Sequence, residues 1–119
     1  MELEEIYEKL CTLNIPVAYI QFNKPQKLPF IAYLEAGTEI HGADHYNLYR
    51  RVTIRIELYS EKKNPCLERK IESLFRSVEI DKDGDIYLET ENIFLTVFSF
   101  TTIQKINKPY KINLKKMED

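Results

Sequence analysis

The chain has no tryptophan, only three glycines, two cysteines and two histidines in 119 residues. Three glycines leave little material for a phosphate-cradling loop, and no G-x-x-x-x-G-K-[ST], G-x-G-x-x-G or G-x-S-x-G pattern occurs. Two cysteines, Cys11 and Cys66, cannot make a disulfide framework. Cys66 falls in the first turn of a predicted helix, where the dipole can lower a thiol pKa, but a tolerated small residue accounts for it equally well. No apolar run approaches the ~20 residues of a membrane span, and the acidic, amphipathic start MELEEIYEKL lacks the basic and apolar regions of a signal peptide. The expected location is therefore a cytoplasm. The net charge of −2 supplies no global pull toward nucleic acid.

What is present is ordinary globular composition, 44% hydrophobic and 30% charged. The aromatic share comes from eight tyrosines and six phenylalanines, rings suited to half-buried strand positions. A chain of this size buries roughly two-thirds of its unfolded surface, enough for one core. One domain is expected over residues 1–104, followed by a basic tail over 105–119 that carries Lys105, Lys108, Lys111, Lys115 and Lys116. Such a tail can steer a partner or touch phosphate, or be a solvated end.

The pattern of apolar residues gives the elements. Leu3, Ile6, Tyr7, Leu10 and Leu13 recur at helical spacing, and Asn14-Ile15-Pro16 stops that helix. VAYIQF (17–22) and FIAYLEA (30–36) read as strands around a proline-punctuated loop. From 48 to 58 the even positions are Leu48, Arg50, Val52, Ile54, Ile56 and Leu58, and the odd positions are polar or aromatic. That alternation predicts an antiparallel strand buried on one face and about twice the usual length. Arg50 alone breaks the buried face and is expected beyond the core's edge.

Asn64-Pro65 is a helix-start signal, and Leu67, Ile71, Leu74, Phe75 and Val78 line one face of the helix that follows. IYLE and IFLTVFSFTTI read as two further strands. The second is apolar on both faces, with Phe94, Phe98 and Phe100 on one and Ile93, Leu95 and Val97 on the other. Beyond Asn107-Lys108-Pro109, KINLKKMED reads as a mobile end that could add one short strand. The resulting fold class is α+β: a mostly antiparallel, curved sheet with an N-terminal helix and one central helix packed on it, in the order α-β-β-β-α-β-β.

Three stretches invite a chemical reading. EIHGADH (39–45) holds both histidines, and His41, Asp44 and His45 could supply three zinc ligands, with Glu39 nearby. Gly37 and Gly42 predict instead a flexible hairpin loop over 37–46, which lacks the rigid scaffold a metal site needs. IDKDGDIYLE (80–89) loosely matches a calcium loop, but its glycine falls at the fourth position rather than the sixth, so a turn is expected. Arg51 and Arg55, with Tyr49, Thr53 and Tyr59 on the polar face of the long strand, could form a nucleic-acid platform together with the C-terminal lysines. They serve equally as cross-strand or inter-subunit ion-pair partners, which a negative net charge favours.

The succession PVAYIQF, LPFIAYLEAG, a polar loop, DHYNLYRRVTIRIELYSEKKNPCLERKIESLF and IYLETENIFLTVFSFT resembles the small head–tail joining or tail-terminator proteins of long-tailed phages and prophages of Gram-positive bacteria. The resemblance covers residues 14–104 and is carried mainly by RVTIRIELYSEKKNPCLERKIESL and LPFIAYLE. It implies a non-enzymatic structural subunit, without cofactor or metal, that assembles as a ring, commonly sixfold, on the tail tube or beneath the connector. The implied partners are further copies of itself, the tail-tube protein and a head-completion or connector protein. No membrane is involved, and no nucleic acid beyond contact with packaged DNA. The implied place is the host cytoplasm during assembly and then the head–tail junction of the virion. The residues expected at the assembly interface, inferred from this sequence, are Glu39, His41, Asp44, His45, Tyr49, Arg51, Arg55 and Tyr59. The competing readings are a small metal-binding hydrolase on His41, Asp44 and His45, or a nucleic-acid-binding module on Arg51, Arg55 and the tail.

Overall fold

A computed structural model describes the backbone of residues 1–43 and 46–106, and the side chains of 1–42 and 49–106. Asp44, His45 and the tail from 107 lie outside the described residues. Two helices and five strands follow in the order α1 (Leu3–Cys11), β1 (Val17–Tyr19), β2 (Phe30–Ala43), β3 (Tyr46–Ser60), α2 (Pro65–Leu74), β4 (Asp81–Leu88) and β5 (Ile93–Lys105). This is the α+β order that the apolar pattern predicts. The strands form one sheet, β1-β2-β3-β5-β4, antiparallel throughout except for the short β1–β2 pair.

The long alternating strand is the spine. Val52, Ile54, Ile56 and Leu58 are wholly buried on one face, beside Ile31 and Tyr33 of β2 and Phe98 and Phe100 of β5. Leu3, Ile6 and Leu10 of α1 and Leu67 and Ile71 of α2, with Phe75 just beyond it, complete this core. At 15 residues and about 3.3 Å per residue, β3 spans nearly all of the molecule's 52 Å long axis, while the other two axes are 28 and 25 Å. Arg50, the one charge on this face of β3, is half-buried opposite the buried Gln104, and its guanidinium reaches Glu35 Oε2 at 3.3 Å.

Asn64 caps α2, accepting the Leu67 N–H at 3.2 Å, with Pro65 in the first turn. The helix stops at Leu74, short of Val78. Phe75 leaves the helical region (φ −114°) and stacks on Phe100 with centroids 4.9 Å apart. The strand read over 17–22 shrinks to Val17–Tyr19, because Ile20 turns the chain at φ +68°.

Two expected loops are strands. Within the hairpin loop predicted over 37–46, the described residues 37–43 and 46 belong to paired strands: Gly37 to His41 stand opposite Thr53 to Tyr49, and Ala43 opposite Tyr46. Gly37 and Gly42 instead mark two register shifts in β2, the use of glycine that irregular pairing favours. The turn predicted over Asp81–Asp85 is the first half of β4. Gly84, at φ +151°, sits in its one irregularity, opposite Val97. In both places the pairing partner overrides the local punctuation.

Candidate functional site

Helices cover one face of the sheet, and no described element of regular structure covers the other. On the uncovered face the odd residues of β3 stand in cross-strand rows. The base row is apolar: Phe30, Tyr59, Leu95 and Ile86 follow one another across β2, β3, β5 and β4. Phe30 stacks on Tyr59 at 4.9 Å and Phe22 packs edge-on against Phe30 at 5.2 Å. Farther along come Leu34, Arg55 and Ser99, then Gly37, Thr53 and Thr101, then Glu39, Arg51 and Ile103. The last described row is His41, Tyr49 and Lys105. The face thus runs from apolar at the base to charged and aromatic at the tip.

Six of the eight expected interface residues, Glu39, His41, Tyr49, Arg51, Arg55 and Tyr59, are therefore brought to one face. Asp44 and His45 lie outside the described residues. Near that tip His41 stacks on Tyr49, and its Nε2 lies 3.3 Å from Glu39 Oε2. Arg55 Nε lies 2.9 Å from Glu57 Oε2, and the Tyr59 hydroxyl donates to Glu57 Oε1 at 3.2 Å. Burial first, and then the adjacent Glu57 carboxylate, push the Tyr59 phenol above its ordinary value. Arg51 makes no ion pair with any described residue, and its side chain is exposed. Half of the supposed cationic platform is thus already neutralised within its own strand. Among the described residues no three His, Cys, Asp or Glu side chains gather as a metal site.

Beyond the last β4 pair, Asp81 with Ser99, no described strand lies beside the outer edge of β5. A groove of about 640 Å³ opens there, lined by Arg51, Ser99, Thr101 and Ile103 on one side and Val78, Glu79 and Asp81 on the other. The outer edge of β2 is likewise without a described neighbour past Tyr33, where β1 ends. Residues 34–43, 46–54 and 100–105 thus make a three-stranded arm with no described strand on either edge, although Val52, Ile54, Phe100, Thr102 and Gln104 on its other face are still buried, beside the helices and Met1.

Reading by position in the chain missed two things. The first is the apolar base row, although Leu95 on the second face of its strand was a signal for it. The second is Glu68, 3% exposed and bonded by Lys63 and Lys82, both also in contact with Asp85. Its place among the polar residues of α2 gave no hint of burial. This cluster ties α2 to β4, and Thr96 adds a hydrogen bond to Asp85 at 3.0 Å. Comparison of the sequence with protein-family models and with curated proteins finds no match.

Proposed function

We propose that this chain is a non-enzymatic assembly subunit of the head–tail junction of a long-tailed phage or prophage. It forms a ring, commonly sixfold in proteins of this kind, that caps the tail tube or joins it to the head connector. The observation that carries this reading is the arm: β2, β3 and β5 run on beyond β1 and β4 and present an uncovered face with no described strand on either edge. A face and edges of that kind gain buried area and backbone partners by contact with another subunit. The graded face supports the same reading. An apolar base with Arg51, which has no ion-pair partner among the described residues, toward the tip matches the apolar centre and polar rim of protein interfaces.

The partners under this reading are neighbouring copies, the tail-tube protein and a head-completion or connector protein. The chain works in the host cytoplasm during assembly and resides in the virion afterwards. Surface complementarity and symmetry do the work, so no reacting group or cofactor is required. Tyr49, Arg51 and the tip are the contacts. Arg55 and Tyr59, already engaged by Glu57, hold the face in shape.

The test is genetic and structural. The gene is deleted from an inducible lysogen and complemented with wild type, Arg51→Glu or a variant lacking residues 38–45. Particles are then viewed by negative-stain electron microscopy. Wild type restores joined, infectious particles. Both variants give separate heads and tails or overlong tubes, and Arg51→Glu, a change at an exposed side chain, does so with unchanged thermal unfolding. Normal infectious particles from the deletion strain would refute the assignment.

A further inference from the structure

We infer that the outer edge of β5 pairs with the same edge of a second copy of this chain, antiparallel and about a twofold axis at Ile103. Such a contact closes on itself and builds no ring, so it is a state of the free chain and does not depend on the assembly reading. The hydrogen-bonding pattern fixes which groups the edge offers. Ile31 N donates to Pro16 O and Tyr33 O accepts from Ile20 N, so both residues of β2 turn toward β1. The alternation of antiparallel pairing then turns Ile54 and Val52 of β3 toward Phe100 and Thr102, and points the N–H and C=O of Thr101, Ile103 and Lys105 outward. Ile103 O accordingly accepts the Met1 ammonium at 3.0 Å from outside the sheet. A carbonyl carries two lone pairs, so that bond leaves one for a strand.

Outward from Ile103 the edge is its own complement. Ile103 stands opposite Ile103 of the second copy, and Thr101 opposite its Lys105, so the outward backbone groups of all three residues find partners. Ile103, 58% exposed in the single chain, is covered by its counterpart. Charge favours the same arrangement. Within one chain Lys105 lies at the tip end of this edge, while Asp81 and Glu79 lie at its base, lining the groove there. Antiparallel pairing sets each Lys105 two residues, about 7 Å, along from the second copy's Asp81 and on the same face, so opposite charges meet at both ends. The chain bends at Ile106, which takes it out of line before it reaches that aspartate. The other edges lack this match. On β2 the register that engages both outward residues, Thr38 and Ile40, sets Glu39 against Glu39. On β4 stand Asp81, Asp83, Asp85 and the Gly84 irregularity, features that keep an edge unpaired.

One short strand on each side makes an interface smaller than the standard ~1,600 Å², so the expected dissociation constant is on the order of 0.1 mM. The test is sedimentation equilibrium of the full chain from about 0.01 to about 1 mM, a range that brackets this value. Wild type passes from the mass of one chain toward that of two. Lys105→Glu, a change at an exposed side chain, weakens the dimer at least about tenfold, because the twofold axis doubles the repulsion, and adding Asp81→Lys restores it. In a mixture of labelled and unlabelled chains, isotope-filtered NMR shows contacts between the Hα of Thr102 and the Hα of Gln104 of the other copy, the close pair of this register. A single chain mass throughout the range overturns the proposal. So does a dimer that Lys105→Glu leaves unchanged, or one without the Thr102–Gln104 contact, since either places the association on another surface.

Discussion

His41 and Tyr49 stack ring on ring across the β2–β3 pair, with centroids 5.0 Å apart and planes 11° from parallel. They are directly opposed residues near the end of the arm, where no helix supports the sheet. A cross-strand aromatic pair of this kind contributes about 0.2–1 kcal/mol. It holds the shape of the tip more than it holds the fold.

Tyr49→Ala therefore separates local order from global stability. The His41 ring protons should lose the upfield shift that the stacked Tyr49 ring imposes, while the urea unfolding free energy falls by less than about 1 kcal/mol. His41 ring shifts identical in the two proteins would mean that the stack does not persist in solution.

A second prediction concerns Lys82. With Lys63 it neutralises Glu68, whose carboxylate is almost wholly removed from water. Lys82→Met leaves that carboxylate with one ammonium instead of two, and removing a partner from a buried polar group costs about 1–3 kcal/mol. The loss belongs toward the lower end, because Lys63 remains at 3.0 Å from both Glu68 oxygens. Chemical denaturation of Lys82→Met and of Lys62→Met, an exposed lysine outside the cluster, decides the matter. Equal midpoints would show the cluster to be energetically idle.

The same cluster sets a pH dependence. Partial burial alone would raise the Asp85 carboxyl, but hydrogen bonds from Lys63 and Thr96 and the charges of Lys82 and Lys63 outweigh it, holding the group below its ordinary value of 3.8. A carboxyl depressed in the folded state contributes stability that is present above its unfolded value and is lost as pH falls through the folded one. Lys63 behaves oppositely. Its shared cluster with Lys82, Asp85 and Glu68 raises the ammonium above the lysine range, and since two ammoniums repel, the carboxylates carry that effect. Its contribution is present below its ordinary 10.5 and is lost at higher pH. Unfolding free energies measured from pH 7 down to pH 2 should fall less steeply below about pH 4 in Asp85→Asn than in wild type. Parallel curves would remove Asp85 from the acid response.

Much of this architecture was legible in the chain, for identifiable reasons. The two-residue alternation of Val52, Ile54, Ile56 and Leu58 admits only a strand with one buried face, and Asn64-Pro65 marks a helix start by satisfying and removing terminal donors. The arm and the start of β4 were misread because Gly37, Gly42 and Gly84 are local signals whose meaning depends on a partner strand. Beside β3 or β5 a glycine marks an irregularity within a strand, and without a partner it marks a loop. Tyr49, Arg51, Arg55 and Tyr59 could be gathered on one face from parity along β3 alone, whereas Glu39 and His41 join them only through the β2–β3 pairing. That Arg55 is already held by Glu57 while Arg51 has no ion-pair partner among the described residues required side-chain geometry, since both lie at odd positions of the same strand.

Ile20 carries the last prediction. It is a β-branched residue at φ +68°, the centre of a tight turn in which Gln21 N–H donates to Tyr19 O at 2.8 Å, and its side chain is 57% exposed. The left-handed region costs a residue with a Cβ about 1–2 kcal/mol, and the crowding is worse for a branched side chain. The turn persists because Ile20 N–H also donates to Tyr33 O at 2.8 Å, which fixes the exit from β1. Glycine adopts this conformation without the steric cost, at the expense of greater freedom in the unfolded chain. With little side-chain burial to lose, Ile20→Gly should raise the unfolding free energy by about 0.5–1 kcal/mol, whereas Ile20→Val should leave it unchanged. A drop in Ile20→Gly would show that the exposed isoleucine makes contacts in solution worth more than the strain it bears.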